Sequence, residues 1–185
     1  MRCTSITEQK AALRPRVKAR TAEIPENLRR AQEKALFKAF LGLDAVKNAR
    51  TVMVFWGVGE EPDTVGLISA LLAYGKKVAL PRCLPGRKME ARLYRGGRLV
   101  RSQYGIPEPG EDCPLAHKAE IDVVLVPALC YDPKGFRLGR GAGYYDRWLA
   151  DYAGTTVGMC YKEVLQQEVP REEHDLPVKI LLCIQ

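Results

Sequence analysis

No stretch of this chain approaches the roughly 18 to 20 consecutive apolar residues that a membrane-crossing helix needs, so nothing in it points to a bilayer span. The opening Met1-Arg2-Cys3-Thr4-Ser5 lacks the apolar core of a secretory signal, and the cytoplasm is the expected location. Histidine occurs twice, and the six cysteines (Cys3, Cys83, Cys113, Cys130, Cys160, Cys183) are scattered, with no C-x-x-C pair. That spacing argues against a zinc site and against a disulfide framework. Cys130, Cys160 and Cys183 stand in apolar, strand-like surroundings, where cysteine serves as a small core residue. No activating His or Lys lies beside any of the six, so a catalytic thiol is not expected. Aromatics make up 8% of the chain and basic residues nowhere form a tract of five, which leaves an RNA-binding module without the features it would need.

The chain does have enough apolar sequence for one core: 46% hydrophobic residues over 185 positions, with no repeat, low-complexity segment or long linker. A single domain over residues 1–185 is expected. The formal net charge of +7 suits an anionic partner. Because the basic residues are dispersed, a small polyanion accounts for it at least as well as nucleic acid does. Neither nucleic acid nor a membrane is an expected partner, and a monomer is the expected state.

Periodicity then divides the chain into alternating helices and strands. Residues 5–20 read as a helix: Ser5 and Glu8 have capping-box spacing, and Lys10, Arg14 and Lys18 form a basic stripe that by itself reads as a solvated face. A second helix starts at Pro25-Glu26, with Leu28, Ala31, Ala35, Leu36 and then Phe40 or Leu43 as its buried stripe. Residues 51–56 are a short continuous apolar run, as in a strand covered on both faces. Asp63 or Thr64 caps a helix that stops at Gly75, and residues 77–81 form the next strand. Residues 82–114 look less regular, with a short strand at 89–94. Residues 121–127 are the clearest strand. A helix over 144–152 and strands at 156–160 and 180–184 complete the pattern. The expected fold is α/β, a single three-layer domain with a mainly parallel central sheet flanked by helices, with ligands gathered beyond the carboxyl ends of the strands.

The most specific chemistry lies in Arg137-Leu138-Gly139-Arg140-Gly141-Ala142-Gly143-Tyr144-Tyr145-Asp146. Alternate glycines let successive backbone amides turn toward one point and admit a bulky anion without Cβ clashes. A helix start just after them adds its positive end, the arginines add forked donors, and the Asp can hold a divalent metal or simply cap the helix. The segment is neither a Walker A loop nor a dinucleotide fingerprint, since G-x-x-x-x-G-K-[ST] and G-x-G-x-x-G are both missing. Its composition is that of a polyphosphate cradle.

Residues 127–146 as a whole, from Pro127 through Asp132-x-x-Gly135 to Asp146, resemble the signature of the 5-formyltetrahydrofolate cyclo-ligases, also called methenyltetrahydrofolate synthetases. The likeness extends to Lys10-x-x-Leu13-Arg14, to Glu60-Glu61-Pro62-Asp63-Thr64, to Tyr104-Gly105-Ile106-Pro107-Glu108-Pro109, and to Val169-Pro170 leading to His174-Asp175, in all about residues 8–178. The resemblance implies an enzyme that uses ATP and Mg²⁺ to cyclise 5-formyltetrahydrofolate to 5,10-methenyltetrahydrofolate through a phosphorylated imidate, releasing ADP and phosphate. It implies Lys10, Arg14, Arg137, Leu138, Gly139, Arg140, Gly141, Ala142, Gly143, Tyr144 and Tyr145 around ATP, with Arg140 and Tyr144 as catalytic groups. Trp56, Glu61 and Tyr144 fall on the folate side, and Asp146 and Asp175 on the metal. Small-molecule substrates, including polyglutamylated folate, are then the expected partners.

Several of these residues have an ordinary alternative. Lys10 and Arg14 read alone as solvated charges, Trp56 as a core residue at a strand end, and Glu61 as a helix-leading acid. One of Tyr144 and Tyr145 should face the ligand and the other the core. Ala142 and Lys179 depart from the pattern: relatives often carry Gly or Lys at the first position and an acid at the second, which weakens Asp175 as a metal ligand. The competing functions are a sugar-phosphate isomerase or CoA-transferase-like enzyme, and a catalytically weak folate- or nucleotide-binding paralogue.

Overall fold

A computed structural model describes residues 5–184; Cys3 and most of the segment examined for a signal lie outside them. The first helix, α1 (Ile6–Ala22), starts at the expected capping box: the Ser5 hydroxyl accepts the Glu8 amide at 3.2 Å, and the Glu8 carboxylate accepts the Ser5 amide at 2.8 Å. The next, α2 (Glu26–Gly42), follows Pro25 as expected, but its buried row is Gln32, Leu36 and Phe40, while Ala31 is exposed. A polar residue holds an inward position because both ends of its amide find a partner there. Gln32 donates to Glu163 at 2.7 Å and accepts the Lys162 amide at 3.1 Å. A reading by apolarity passes over such a residue. A short α3 (Asp44–Asn48), not signalled by the sequence, leads into β1 (Thr51–Met53).

The loop after β1 closes on itself before α4 (Val65–Ala73). Thr64 does not cap this helix; its hydroxyl donates to the Phe55 carbonyl and accepts the Gly57 amide at 3.0 Å, while Asp63 accepts the Val65 amide at 3.2 Å. Gly57 is required by closeness, since a Cβ there would lie 1.9 Å from the Pro62 carbonyl oxygen.

The section expected to be irregular is more ordered than its Gly and Pro content suggested. β2 (Lys77–Leu84) turns back into β3 (Lys88–Tyr94), and β4 (Leu99–Arg101) pairs with β5 (Pro107–Pro109) across the Tyr104-Gly105-Ile106 turn. After β6 (Val123–Val126), a small hairpin of β7 (Cys130–Tyr131) and β8 (Arg137–Leu138) intervenes, so the glycine loop leaves β8 and not a strand of the main sheet. Buried Asp132 holds that hairpin, accepting amides from Lys134, Phe136 and Val169 at 3.0–3.1 Å. α5 (Tyr144–Leu149) ends three residues earlier than expected, and β9 (Thr155–Met159) and β10 (Ile180–Leu182) close the fold.

The main sheet runs β10-β9-β6-β1-β2-β3, parallel except for β3. Alternate residues serve opposite faces. Met53, Ala79, Val124 and Val126 pack with Val17 of α1 and Trp148 and Leu149 of α5. Val52, Val54, Val78, Leu80, Val123 and Leu125 pack with Leu36, Phe40, Val46, Leu67 and Leu71 of α2, α3 and α4. These are the three layers expected.

Cys130 and Cys160 are core residues, and burial pushes the Cys130 thiol up to about 12; Cys183 is only partly buried. The cysteines among the described residues are free. No helix among them is long and apolar enough to cross a membrane.

Candidate functional site

Loops from the carboxyl ends of β1 and β9 meet the glycine loop, and α1 lies across them. The basic stripe of α1, which alone reads as solvated, is turned inward. Lys10 pairs with Asp175, Arg14 Nε donates to the Gly139 carbonyl at 2.9 Å, and Lys18 lies 3.7 Å from Glu60. The i, i+4, i+8 spacing thus carries one contact to each of three loops.

Within the glycine loop, Gly141 has φ +106° and Gly143 +67°, while Gly139 needs no such freedom. Gly141 is also packed under Arg14, whose Cζ would lie 3.3 Å from a Cβ added there. Three of the loop's five carbonyls are taken: Gly139 by Arg14, Ala142 by the Arg147 side chain at 2.6 Å, and Gly143 by the Arg147 amide at 3.4 Å. Its backbone amides, from Gly139 to Gly143, find no acceptor among the described residues. More amide donors than carbonyl acceptors are left unbonded in the loop, a polarity that suits an anion.

The two arginines of the loop do different work. Arg137 is buried, donating to the Leu176 carbonyl at 2.9 Å and pairing with Asp146, so it holds the metal-candidate acid and the 176 segment together. Leu138 is fully buried and can offer a ligand only its backbone. Arg140 is exposed and reaches out of the loop. Its Nε donates to Glu61 at 3.0 Å, its Nη2 donates to the Val58 carbonyl, and Glu60 lies 3.8 Å away.

Glu61 is 5% exposed. Burial pushes its pKa above the ordinary carboxylate value and Arg140 pulls it back, with the balance still raised. Its second oxygen accepts the Val58 amide at 3.4 Å. The acidic loop is also held from outside: Arg29 of α2 donates to the carbonyls of Gly59 and Glu61, and Glu33 accepts the Asp63 amide. Sequence reasoning missed both residues, because an Arg and a Glu four apart on a helix look like a surface pair.

The two tyrosines point to different surroundings. Tyr144 turns toward the β4–β5 hairpin, with its hydroxyl 3.1 Å from that of Tyr104 and its ring edge-on at 6.0 Å; Gln103 donates to it at 3.3 Å. The Tyr104 contact, with a little burial, pushes the Tyr144 phenol up to about 12. Tyr145 packs on the first core cluster, its hydroxyl buried and without a partner among the described residues. Beside Tyr144 lies a cavity of about 210 Å³ lined by Arg82, Cys83, Ser102, Gln103 and buried Glu108, also missed in the sequence. Trp56 is turned to the other layer, edge-on to Tyr94 with centroids 6.5 Å apart.

The two metal-candidate acids are not alike. Asp146 is a third exposed and pairs with Arg137 through one oxygen, leaving the other for a hard cation. Asp175 spends one oxygen on Lys10 and the Glu172 amide. Burial opposes its ionisation, but those hydrogen bonds hold its carboxyl below the usual range. No group of three or more metal-ligating side chains occurs among the described residues. The donor set therefore fits an ion that arrives with phosphate oxygens as most of its ligands.

Fold and site together define a class: an α/β protein with an amide-rich glycine loop near the carboxyl edge of a parallel sheet, joined through an arginine to a buried acid. A family model described as the 5-formyltetrahydrofolate cyclo-ligase family matches residues 6–183, and the chain belongs to that family of ligases. It is 35% identical over 184 residues to the 5-formyltetrahydrofolate cyclo-ligase of Mycolicibacterium smegmatis, covering 94% of this chain and 92% of that one. It is 34% identical over 140 residues to the Escherichia coli K12 protein of that name, covering 72% and 77%. Among solved structures it resembles the NMR structure of Aquifex aeolicus 5,10-methenyltetrahydrofolate synthetase, with a TM-score of 0.84, 27% identity, and 94% and 89% coverage. The Mycoplasma pneumoniae synthetase, at TM-score 0.75 and 15% identity, shares the fold.

Proposed function

We propose that the protein catalyses the ATP-dependent cyclisation of 5-formyltetrahydrofolate to 5,10-methenyltetrahydrofolate. The formamide oxygen is a poor leaving group. Transfer of the γ-phosphoryl to it, with ADP departing, gives a phosphorylated imidate. The N10 lone pair attacks the imidate carbon, N10 loses its proton, and phosphate leaves with the former formyl oxygen. Family membership supports the reaction. The observation that carries this mechanism is Arg140, which belongs to the glycine loop yet donates to Glu61, so one guanidinium spans the phosphate and folate sides.

Protein work in such a transfer is positioning and charge neutralisation. The free amides of Gly139 to Gly143 would take the phosphate oxygens, with Lys10 and Arg14 beside them. Arg140 would neutralise charge on the transferring group. Glu61 would accept the paired N–H donors of the pterin ring, and Tyr144 would close the folate side with Tyr104. Arg137 acts indirectly, by holding Asp146. Mg²⁺, when bound, would neutralise the phosphates, with Asp146 as its principal protein ligand. Mixing the protein, MgATP and 5-formyltetrahydrofolate should produce the near-ultraviolet absorbance of the methenyl product, with one ADP per turnover. ATP binding without that absorbance would rule the reaction out.

A further inference from the structure

Beyond the base that Thr64 closes on Gly57, residues 58–63 are weakly bonded among themselves. Their internal links are the Glu61 amide to the Val58 carbonyl at 3.3 Å and the Val58 amide to the Glu61 carboxylate at 3.4 Å. Stronger bonds come from α2. Arg29 Nη2 donates to the Gly59 carbonyl at 2.7 Å and the Glu61 carbonyl at 3.1 Å, while Nε donates to the Tyr161 hydroxyl at 3.0 Å. Glu33 accepts the Asp63 amide at 3.0 Å and the Tyr161 proton, and lies 3.9 Å from Arg29. Tyr161, 1% exposed and two residues past β9, is thus the post on which both charged side chains are fixed. Two segments distant in sequence, α2 and the turn after β9, converge on the backbone of residues 59–63. Charge-assisted bonds of this kind are short and directional, and the planar Arg fork bonds two carbonyls through Nη2 while Nε holds the Tyr161 hydroxyl, a geometry that a single ammonium does not reproduce.

We propose that Arg29, Glu33 and Tyr161 are positioning residues for the folate side of the reaction. They fix the backbone of residues 59–63 so that the buried Glu61 carboxylate faces both Arg140 and the substrate. The assignment rests on Glu61 being the folate-side acid. None of the three touches the glycine loop in the contacts that define the clamp, so the nucleotide side should not depend on them. A clamp that merely held the fold together would instead weaken both ligands in step with stability.

Equilibrium binding separates these cases without needing turnover. Affinities for 5-formyltetrahydrofolate and for MgATP should be measured separately on Tyr161→Phe, Arg29→Met and Arg29→Lys, alongside melting temperature. Arg29→Met and Tyr161→Phe should weaken folate binding roughly 5- to 30-fold and leave MgATP within about twofold, with Arg29→Lys in between. In a Glu61→Gln background, Arg29→Met should add less than about twofold, because residues acting through one group are not additive. Tyr161→Phe keeps the ring and removes only the hydroxyl, so it remains informative if Arg29→Met does not fold. Equal losses for both ligands, unchanged folate affinity, or a full Arg29→Met effect in the Glu61→Gln background would each overturn the clamp. Selective folate loss in a protein that makes no methenyl product would instead overturn the proposed reaction and leave the clamp standing.

Discussion

The two loops that meet at Arg140 are built by opposite means. Residues 58–63 are fixed from outside, by Arg29, Glu33 and Thr64, and they present one side chain, a buried acid. Residues 139–143 have the Gly139 and Ala142 carbonyls occupied by Arg14 and Arg147, and they present backbone amides. The first arrangement suits a rigid planar ligand with a fixed donor pattern, where a misplaced carboxylate would lose both bonds. The second suits a polyphosphate, whose oxygens can be met by any converging set of amides. Arg140 is the one side chain that belongs to both.

Removing that link should have the largest effect. Arg140→Met should lower kcat by about two to three orders of magnitude, as expected when a donor to developing charge is lost. It should also expose the electrostatics of Glu61. Burial already raises that carboxyl above its ordinary value of 4.5, and Arg140 is the chief opposing influence. Without it, protonation sets in at still higher pH, so folate binding should fall off earlier on acidification than in the parent. Steady-state rates and folate binding across pH read both effects. A near-normal kcat would remove Arg140 from the chemistry.

Breaking only the acidic loop should be smaller and one-sided. Glu61→Gln should weaken folate binding roughly 10- to 100-fold and leave MgATP within about twofold. Its stability effect should run the other way at neutral pH. A group whose folded pKa is raised adds stability below its unfolded value and loses it as pH rises through the folded value. Ionised, buried Glu61 therefore costs stability at pH 7, and a neutral amide should not lower the melting temperature there. Loss of affinity together with a lower melting temperature would mean that Glu61 serves the fold.

The two aspartates sharpen the nucleotide side. Asp146→Asn should raise the Mg²⁺ concentration needed for half activity by about tenfold, since Asp146 is the more exposed of the two acids and keeps one oxygen unpaired. Asp175→Asn should raise the KM for ATP only about fivefold, by freeing Lys10, with the Mg²⁺ requirement little changed. The lowered Asp175 carboxyl contributes stability above its ordinary value of 3.8 that is lost as pH falls through its folded value, so this variant should be less stable than the parent at neutral pH, with the difference closing on acidification. Equal shifts in Mg²⁺ dependence would restore the pair as joint ligands.

The chain's order of elements, its three layers and the capping of α1 were legible in the sequence because each rests on local periodicity. So was the glycine loop, and the resemblance grouped Lys10, Arg14, Glu61 and Arg140, which the structure brings around that loop through Asp175, Gly139 and one another. Three things were not. Gln32 at an inward position and the Arg29–Glu33–Tyr161 clamp depend on what lies opposite a helix, which its own periodicity does not encode. The direction of Arg137 was hidden, since two arginines three apart look equivalent until one is found in a strand and the other beyond its end. Trp56 follows the alternation of β1, which turns it to the layer of Val52 and Val54, and the resemblance alone did not carry that parity.

The smallest expected change tests the glycine loop where it lacks a side chain. Ala142 places no charge in the cradle, and its carbonyl is already held by Arg147. Adding a lysine there leaves the backbone contact intact and brings an ammonium near the phosphates. Ala142→Lys should therefore lower the KM for ATP about two- to threefold, with folate affinity unchanged. The gain should shrink as salt is raised, because a partly exposed charge is screened over roughly 8 to 10 Å at physiological ionic strength. A gain that persists undiminished in high salt would mean that the lysine acts through packing, and a matched gain in folate affinity would mean that the two loops are not as separate as Arg140 makes them.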